Sequence, residues 1–167
     1  MNPVVSQAEW RAAREALLAE EKAMTRALDA LRAKRRAMPW VRVEKDYVFA
    51  TPDGPRSLVQ LFGANRQLLV QHFMFGPEAT EGCVGCSFGA DHFGGALPHL
   101  AARGVGLVAV SRAPLERLLA FRARMGWDFP WVSSLGSDFN YDFGVSFRPE
   151  DVAAGTAEYN YRTLAGS

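Results

Sequence analysis

From Ser6 to about Met38 the chain is built almost entirely of Ala, Leu, Glu, Lys, Arg and Met, with no glycine or proline. These are strong helix formers, and Pro39 stops the run. The opening "SQAE" is a capping box: the Ser6 hydroxyl can accept from the Glu9 N–H while the Glu9 carboxylate reaches back. Trp10, Leu17, Met24, Leu31 and Met38 recur at every seventh position, whereas Arg14, Glu21 and Arg35 interrupt a second stripe. The pattern therefore predicts one helix, about 45 Å long at roughly 1.5 Å per residue, with a narrow apolar line. That line suits either packing across its own domain or a subunit contact.

Beyond the helix the period changes. Asp53-Gly54 lies between two extended segments and predicts a hairpin. "RQLLVQHFMF" (66–75), "VGLVAVS" (105–111) and "FPWVSS" (129–134) are short apolar runs of buried-strand type. Between the first two, Phe88, His92, Phe93, Ala96, Leu97 and Leu100 at helical spacing predict a helix over 84–103, weakened and kinked by Gly94-Gly95 and Pro98. "APLERLLAFRARMG" predicts a second helix, with Pro114 at its start and Gly126 past its end. "SDFNYDFGVSF" is aromatic and turn-rich, and "RPEDVAAG" begins a short helix at Pro149. Strand, helix, strand, helix, strand with short connections demands parallel pairing, so the class is α/β.

Composition narrows this only a little. The chain has 167 residues and a net charge of +1, which gives no reason to expect nucleic acid or an anionic membrane as partner. No apolar run approaches the length of a signal peptide or membrane span, and a cytoplasmic protein is expected.

There are two cysteines, and both lie in "EGCVGC": Cys83 and Cys86, at the end of a predicted strand and the mouth of a predicted helix. A helix N-terminus offers free N–H groups and partial positive charge, both of which favour a thiolate. Cys83 is the expected nucleophile, and Cys86, one turn on, is placed to resolve a mixed disulfide. Gly82 and Gly85 are expected to leave the loop uncrowded for an incoming chain.

Three other readings stay open. Cys83, Cys86, His92 and His99 give a zinc-like set, but with a histidine spacing outside the usual range. Two inert buried thiols are a second. A thiol peroxidase is the third, with the Thr80 hydroxyl polarising a peroxide near Cys83. Elsewhere, His72 is expected as a hydrogen-bonded core histidine, Asp91 and His92 as helix-surface groups, and Trp127, Phe129 and Trp131 as core.

The segments "PWVRVEKDYVF", "HFMFGPE", "EGCVGCSF", "ADHFGGALPHL", "LVAVSRAPLE", "MGWDFPWVSS" and "SDFNYDFGVSF" resemble the bacterial domain-of-unknown-function 899 family, from about Val5 to Tyr161. The wider block resembles the thioredoxin superfamily, in its peroxiredoxin-like branch. The resemblance implies a thioredoxin-like sheet with flanking helices and a predicted dithiol–disulfide oxidoreductase carried by Cys83 and Cys86. Two departures stand out. Pro77 lies three residues before Thr80, with Gly76 where the peroxiredoxin pattern has proline. The C-terminal part of the fold looks shortened, and neither Pro130 nor Pro149 suits the cis-proline of a thioredoxin.

The expectations are therefore an N-terminal helical extension (1–40) and a thioredoxin-like domain (41–167). The expected activity is thiol–disulfide exchange by Cys83 and Cys86, supported by Thr80, Gly82 and Gly85, with a thiol peroxidase or a non-catalytic binding or structural module as alternatives. No metal and no organic cofactor are expected. A protein or small-molecule disulfide and an electron donor are the expected partners, and the long helix with a shortened sheet points to a homo-oligomer.

Overall fold

The computed structural model describes residues 2–163. The chain divides into two compact units, Met1–Glu44 and Lys45–Ser167. The first is dominated by helix α1 (Gln7–Arg36). Ser6 and Glu9 form the capping box in both directions, and Lys34, Arg35 and Arg36 lie in the last turn, where cations complement the helix dipole. No residue of α1 is buried.

The second unit opens with a hairpin. β1 (Val48–Phe49) pairs antiparallel with β2 (Arg56–Ser57) around a turn in which Gly54 adopts φ 100°, a value that favours glycine. Ser57 then caps a single helical turn, α2 (Leu58–Leu61), through a second capping box with Gln60. The central sheet follows. β3 (Gln67–His72) runs parallel to β4 (Val105–Ser111), which runs parallel to β5 (Trp131–Ser133). The helices between them are α3 (Val84–Ala90), α4 (Phe93–Ala101) and α5 (Leu115–Met125). Ala50 and Ser133 exchange backbone hydrogen bonds of 2.9 and 3.0 Å, docking the hairpin antiparallel against β5. β3 has no strand on its outer side among the described residues.

The middle strand shows why its sequence is continuously apolar. Along β4, Leu107 and Ala109 face one core while Val108 and Val110 face another, as the two-residue period of a strand requires. The first core holds Phe73, Phe75, Leu118, Phe121, Phe129 and Trp131, backed by α3, α4 and α5. The second holds Tyr47, Phe49, Val132 and Phe139, beneath the hairpin, α2 and the short helix α6 (Phe139–Asp142). A strand covered on both faces has no polar side to show. This is the α/β class expected: a parallel sheet with flanking helices, preceded by a long helix and a hairpin.

The structure corrects several details. The single kinked helix over 84–103 is two helices. The break falls at Asp91 and His92, where the His92 N–H turns back to the Gly89 carbonyl (3.2 Å). Gly94 and Gly95 sit inside α4, and so does Pro98, which has no N–H to give the Gly94 carbonyl. The aromatic turn contains α6, and α7 (Pro149–Ala153) is followed by a small hairpin, β6 (Glu158–Tyr159) and β7 (Arg162–Thr163), that pairs only with itself. No peptide bond among the described residues is cis, and none of the described helices is long and apolar enough to cross a membrane.

Candidate functional site

Past its last ladder residue, β3 continues as Phe73–Phe75. The Phe73 N–H donates to Val110 (2.9 Å), and the Phe75 carbonyl accepts from Ala113 (2.9 Å). The chain then loops out through residues 76–82 and returns, so that the Cys83 N–H donates to the Met74 carbonyl at 3.0 Å. That bond fixes Cys83 at the C-terminal end of the strand, immediately before the first residue of α3.

Three contacts shape the loop. Arg117, on α5, donates to the carbonyls of Pro77 (2.7 Å) and Ala79 (2.6 Å). Arg124 pairs with Glu81 through two hydrogen bonds, one of 2.9 Å. Gly82 lies so close to the core that a Cβ there would stand 2.8 Å from Phe73 Cε1. The expected roles of the two glycines therefore separate. Gly82 serves close packing, whereas a Cβ on Gly85 would meet nothing nearer than Cys83 Sγ at 3.9 Å.

Cys83 is the N-cap of α3. Its Sγ accepts from the Cys86 N–H at 3.3 Å, while its carbonyl accepts from both the N–H and the hydroxyl of Ser87, each at 2.9 Å. These bonds make the two sulfurs unequal. The Cys86 N–H, followed by the Cys86 thiol and the Gly85 N–H, pulls the Cys83 pKa below the ordinary thiol value. Burial first, and the neighbouring Cys83 sulfur second, push Cys86 above it. Both are free thiols and both are partly exposed, but Cys86 packs against the Phe73–Trp131 core. Around them the surface is apolar: Val84 is 84% exposed, Phe88 70% and Met74 64%.

The other candidate residues stand elsewhere. Thr80 is exposed and makes no hydrogen bond to either sulfur. His92 packs against Phe88, with ring centroids 5.3 Å apart. Among the described residues no three His, Cys, Asp or Glu side chains gather as a metal site. Asp91 accepts from Trp127 Nε1 (2.8 Å), tying the end of α3 to the core rather than tuning the thiols. Phe129 and Trp131 are buried, and Trp127 packs against them. His72 differs from expectation. Its ring stacks on Phe139 (5.3 Å), but its buried Nδ1 has no hydrogen-bond partner among the described residues. Sequence reasoning missed Arg117 and Arg124 altogether, because nothing in a helical pattern marks an arginine that bonds to a loop some forty residues earlier.

Similarity to solved structures is partial. One is a provisionally assigned protein disulfide isomerase of Bacteroides thetaiotaomicron, at 22% identity and TM-score 0.45, covering 60% of this chain and 63% of that one. Another is peroxiredoxin Q of Xanthomonas campestris, at 22% identity and TM-score 0.40, covering 56% and 52%. A third is a hypothetical protein of Sinorhizobium meliloti 1021, at 19% identity and TM-score 0.45, covering 64% and 59%. The match thus spans less than two thirds of each of those chains, and says nothing about activity. No protein of curated function matches the sequence. Over residues 1–165, nearly its whole length, the sequence fits one family pattern, and the chain belongs to that family, described as bacterial protein of unknown function (DUF899).

Proposed function

We propose that the chain is a thiol–disulfide oxidoreductase in which Cys83 attacks and Cys86 resolves. One observation carries the reading: two sulfurs one helical turn apart are driven in opposite directions, Cys83 toward thiolate by the Cys86 N–H and Cys86 toward thiol by burial. The thiolate is the nucleophile in disulfide exchange. The Cys83 thiolate attacks one sulfur of a substrate disulfide, forms a mixed disulfide and expels the other half as a thiolate. Cys86 then loses its proton and attacks Cys83 Sγ. The products are a Cys83–Cys86 disulfide and the second substrate thiolate. Two electrons have moved from protein to substrate, and a dithiol donor must return them. This chemistry requires no metal or organic cofactor. It suits a reducing compartment such as the cytoplasm, and the apolar rim of Met74, Val84 and Phe88 suits a disulfide-bearing polypeptide or small molecule as partner.

The thiol peroxidase reading rests on Thr80, which is exposed and does not approach Cys83 through a hydrogen bond. No observation favours it over disulfide exchange.

Alkylation of the reduced protein at mildly acidic pH tests the proposal. Cys83 is expected to be labelled well before Cys86. With a disulfide substrate, Cys86→Ser is expected to accumulate a mixed disulfide through Cys83, whereas Cys83→Ser traps little. Equal, slow labelling of both thiols would overturn the assignment.

A further inference from the structure

A cavity of ≈ 270 Å³ opens at the C-terminal ends of β3 and β4, lined by His72, Met74, Gly76, Arg112, Asn140 and Ser146 among others. From its donors and its position, we infer that it is a carboxylate-binding subsite, so that the disulfides reduced by this protein carry a carboxylate a few bonds from the sulfur. The inference rests on the oxidoreductase reading and extends it to the class of substrate.

The cavity is rich in hydrogen-bond donors and holds no negative charge. Arg112 is its one charged residue, and no Asp or Glu lines it. The Arg112 guanidinium is half-buried and lies over the Tyr141 ring (4.4 Å), with no acceptor among the described residues. A second arginine near the same ring, Arg148 (4.5 Å), shows the contrast: it is paired with Asp138 at 2.7 Å. Asn140 is only 5% exposed, and its Oδ1 accepts from the Ser134 hydroxyl (2.6 Å), which leaves its amide N–H groups without a protein partner. The Ser146 N–H donates to the Asn140 carbonyl (3.0 Å), and its hydroxyl has no partner among the described residues. His72 Nδ1 is equally unpartnered, and burial holds that ring toward its neutral form.

A planar guanidinium with free N–H groups matches a carboxylate in two parallel hydrogen bonds. The Asn140 amide, at the cavity wall, offers a carboxylate oxygen further N–H donors. At ≈ 270 Å³ the space lies below the roughly 300–1,000 Å³ usual for a drug-sized ligand. It therefore takes one end of a molecule rather than the whole. Its wall explains the link to the thiols. Met74 lines the cavity, and its carbonyl is the group that holds the Cys83 N–H. Met74 is thus the link between the two, and an acid arm seated on Arg112 would reach past it to bring its sulfur to Cys83. The bond broken is the substrate S–S bond. The Cys83 thiolate bonds to the sulfur of the acid arm, the other half leaves as a thiolate, and Cys86 closes on Cys83 to release the acid arm.

Oxidation of the reduced protein by dithiodipropionate, bis(hydroxyethyl) disulfide and cystamine tests this. The acid disulfide is expected to react about tenfold faster than the neutral one, as charge-assisted hydrogen bonds of ordinary strength allow, and the cationic one slowest. In Arg112→Gln the acid-to-neutral rate ratio should fall to about one, with part of it restored in Arg112→Lys. A wild-type ratio near one, with brisk reduction of the neutral disulfide, would overturn the carboxylate subsite and leave the oxidoreductase standing. Failure of every disulfide to oxidise the thiols would instead sink the oxidoreductase reading. A second readout does not depend on turnover. The unreactive thioether thiodipropionate, titrated into the wild-type chain, should shift the NMR signals of the His72 ring and the Asn140 side-chain amide with saturation. Absence of that shift would refute the subsite whatever the rates show.

Discussion

Gly82 and Gly85 flank Cys83 alike in the sequence, yet they answer to different constraints. A methyl group on Gly82 would stand 2.8 Å from Phe73 and 3.2 Å from Phe121, two buried rings with little room to yield. Overpacking of that kind costs about 1–3 kcal/mol, and Gly82→Ala is expected to lose that much stability in urea unfolding. Gly85 lies within α3 with open space beside it, where alanine gains up to about 1 kcal/mol of helix propensity. Gly85→Ala should be neutral or stabilising, and equal losses in both variants would contradict the packing described. His72 acts through pH instead. Burial lowers its pKa, so below the ordinary histidine value of about 6.5 the unfolded chain takes up a proton that the folded chain still refuses. The stability tied to this residue is fully present above about pH 6.5 and is lost as pH falls through the folded value. The shifted carboxylates, Glu9, Glu81, Asp138 and Asp142, are held below their ordinary range and so act at lower pH. Unfolding midpoints between pH 7 and 5 should decline less steeply in His72→Phe, which keeps an aromatic stack on Phe139. An unchanged slope would mean that another group is responsible.

At the scale of elements, legibility followed the strength of the periodic signal. β4 was legible because a strand buried on both faces carries seven residues without a charge, and α5 because Pro114 and Gly126 bracket it. α2 escaped notice although "SLVQ" is a capping box like that of α1, because a single turn has too few residues to show a helical period. The break between α3 and α4 falls before Gly94-Gly95, at Asp91 and His92, where Asp91 accepts from Trp127 in a tertiary bond that no local pattern reports. The cysteine pair was legible as a spacing. The arginines that hold its loop were not, being placed by the approach of α5. α1 was legible almost to the residue, and its apolar line remains exposed, from Trp10 (55%) through Leu17 and Met24 to Leu31. We propose that a second copy of the chain covers this line, whose seven-residue spacing gives one of the two apolar stripes of a helix pair, the other being interrupted at Arg14, Glu21 and Arg35. Sedimentation at micromolar concentration should then give a dimer or larger species, and Leu17→Glu combined with Leu31→Glu should shift it to monomer. A wild-type monomer would end the idea.

At the largest scale, one of the two sulfurs, that of Cys86, sits against an aromatic core. Cys86 packs against a core that contains Trp131, with Trp127 at its margin, and the two indoles lie 5.7 Å apart. The other two tryptophans, Trp10 and Trp40, belong to the N-terminal unit and are 55% and 95% exposed. Light therefore distinguishes the two populations. The exposed pair emits as indole in water, whereas the core pair, with Trp131 buried and Trp127 partly so, emits at shorter wavelength from the core against which Cys86 packs. A disulfide is a better quencher of indole than a thiol, so oxidation should dim the blue edge of the emission and leave the red edge almost unaltered. Trp10→Phe with Trp40→Phe should remove the constant background and preserve the change. Identical spectra for the dithiol and disulfide forms would show that Cys86 is not in contact with these rings. If the change is present, the protein's reduction potential can be titrated by its own fluorescence, without a label and without separating one form from the other.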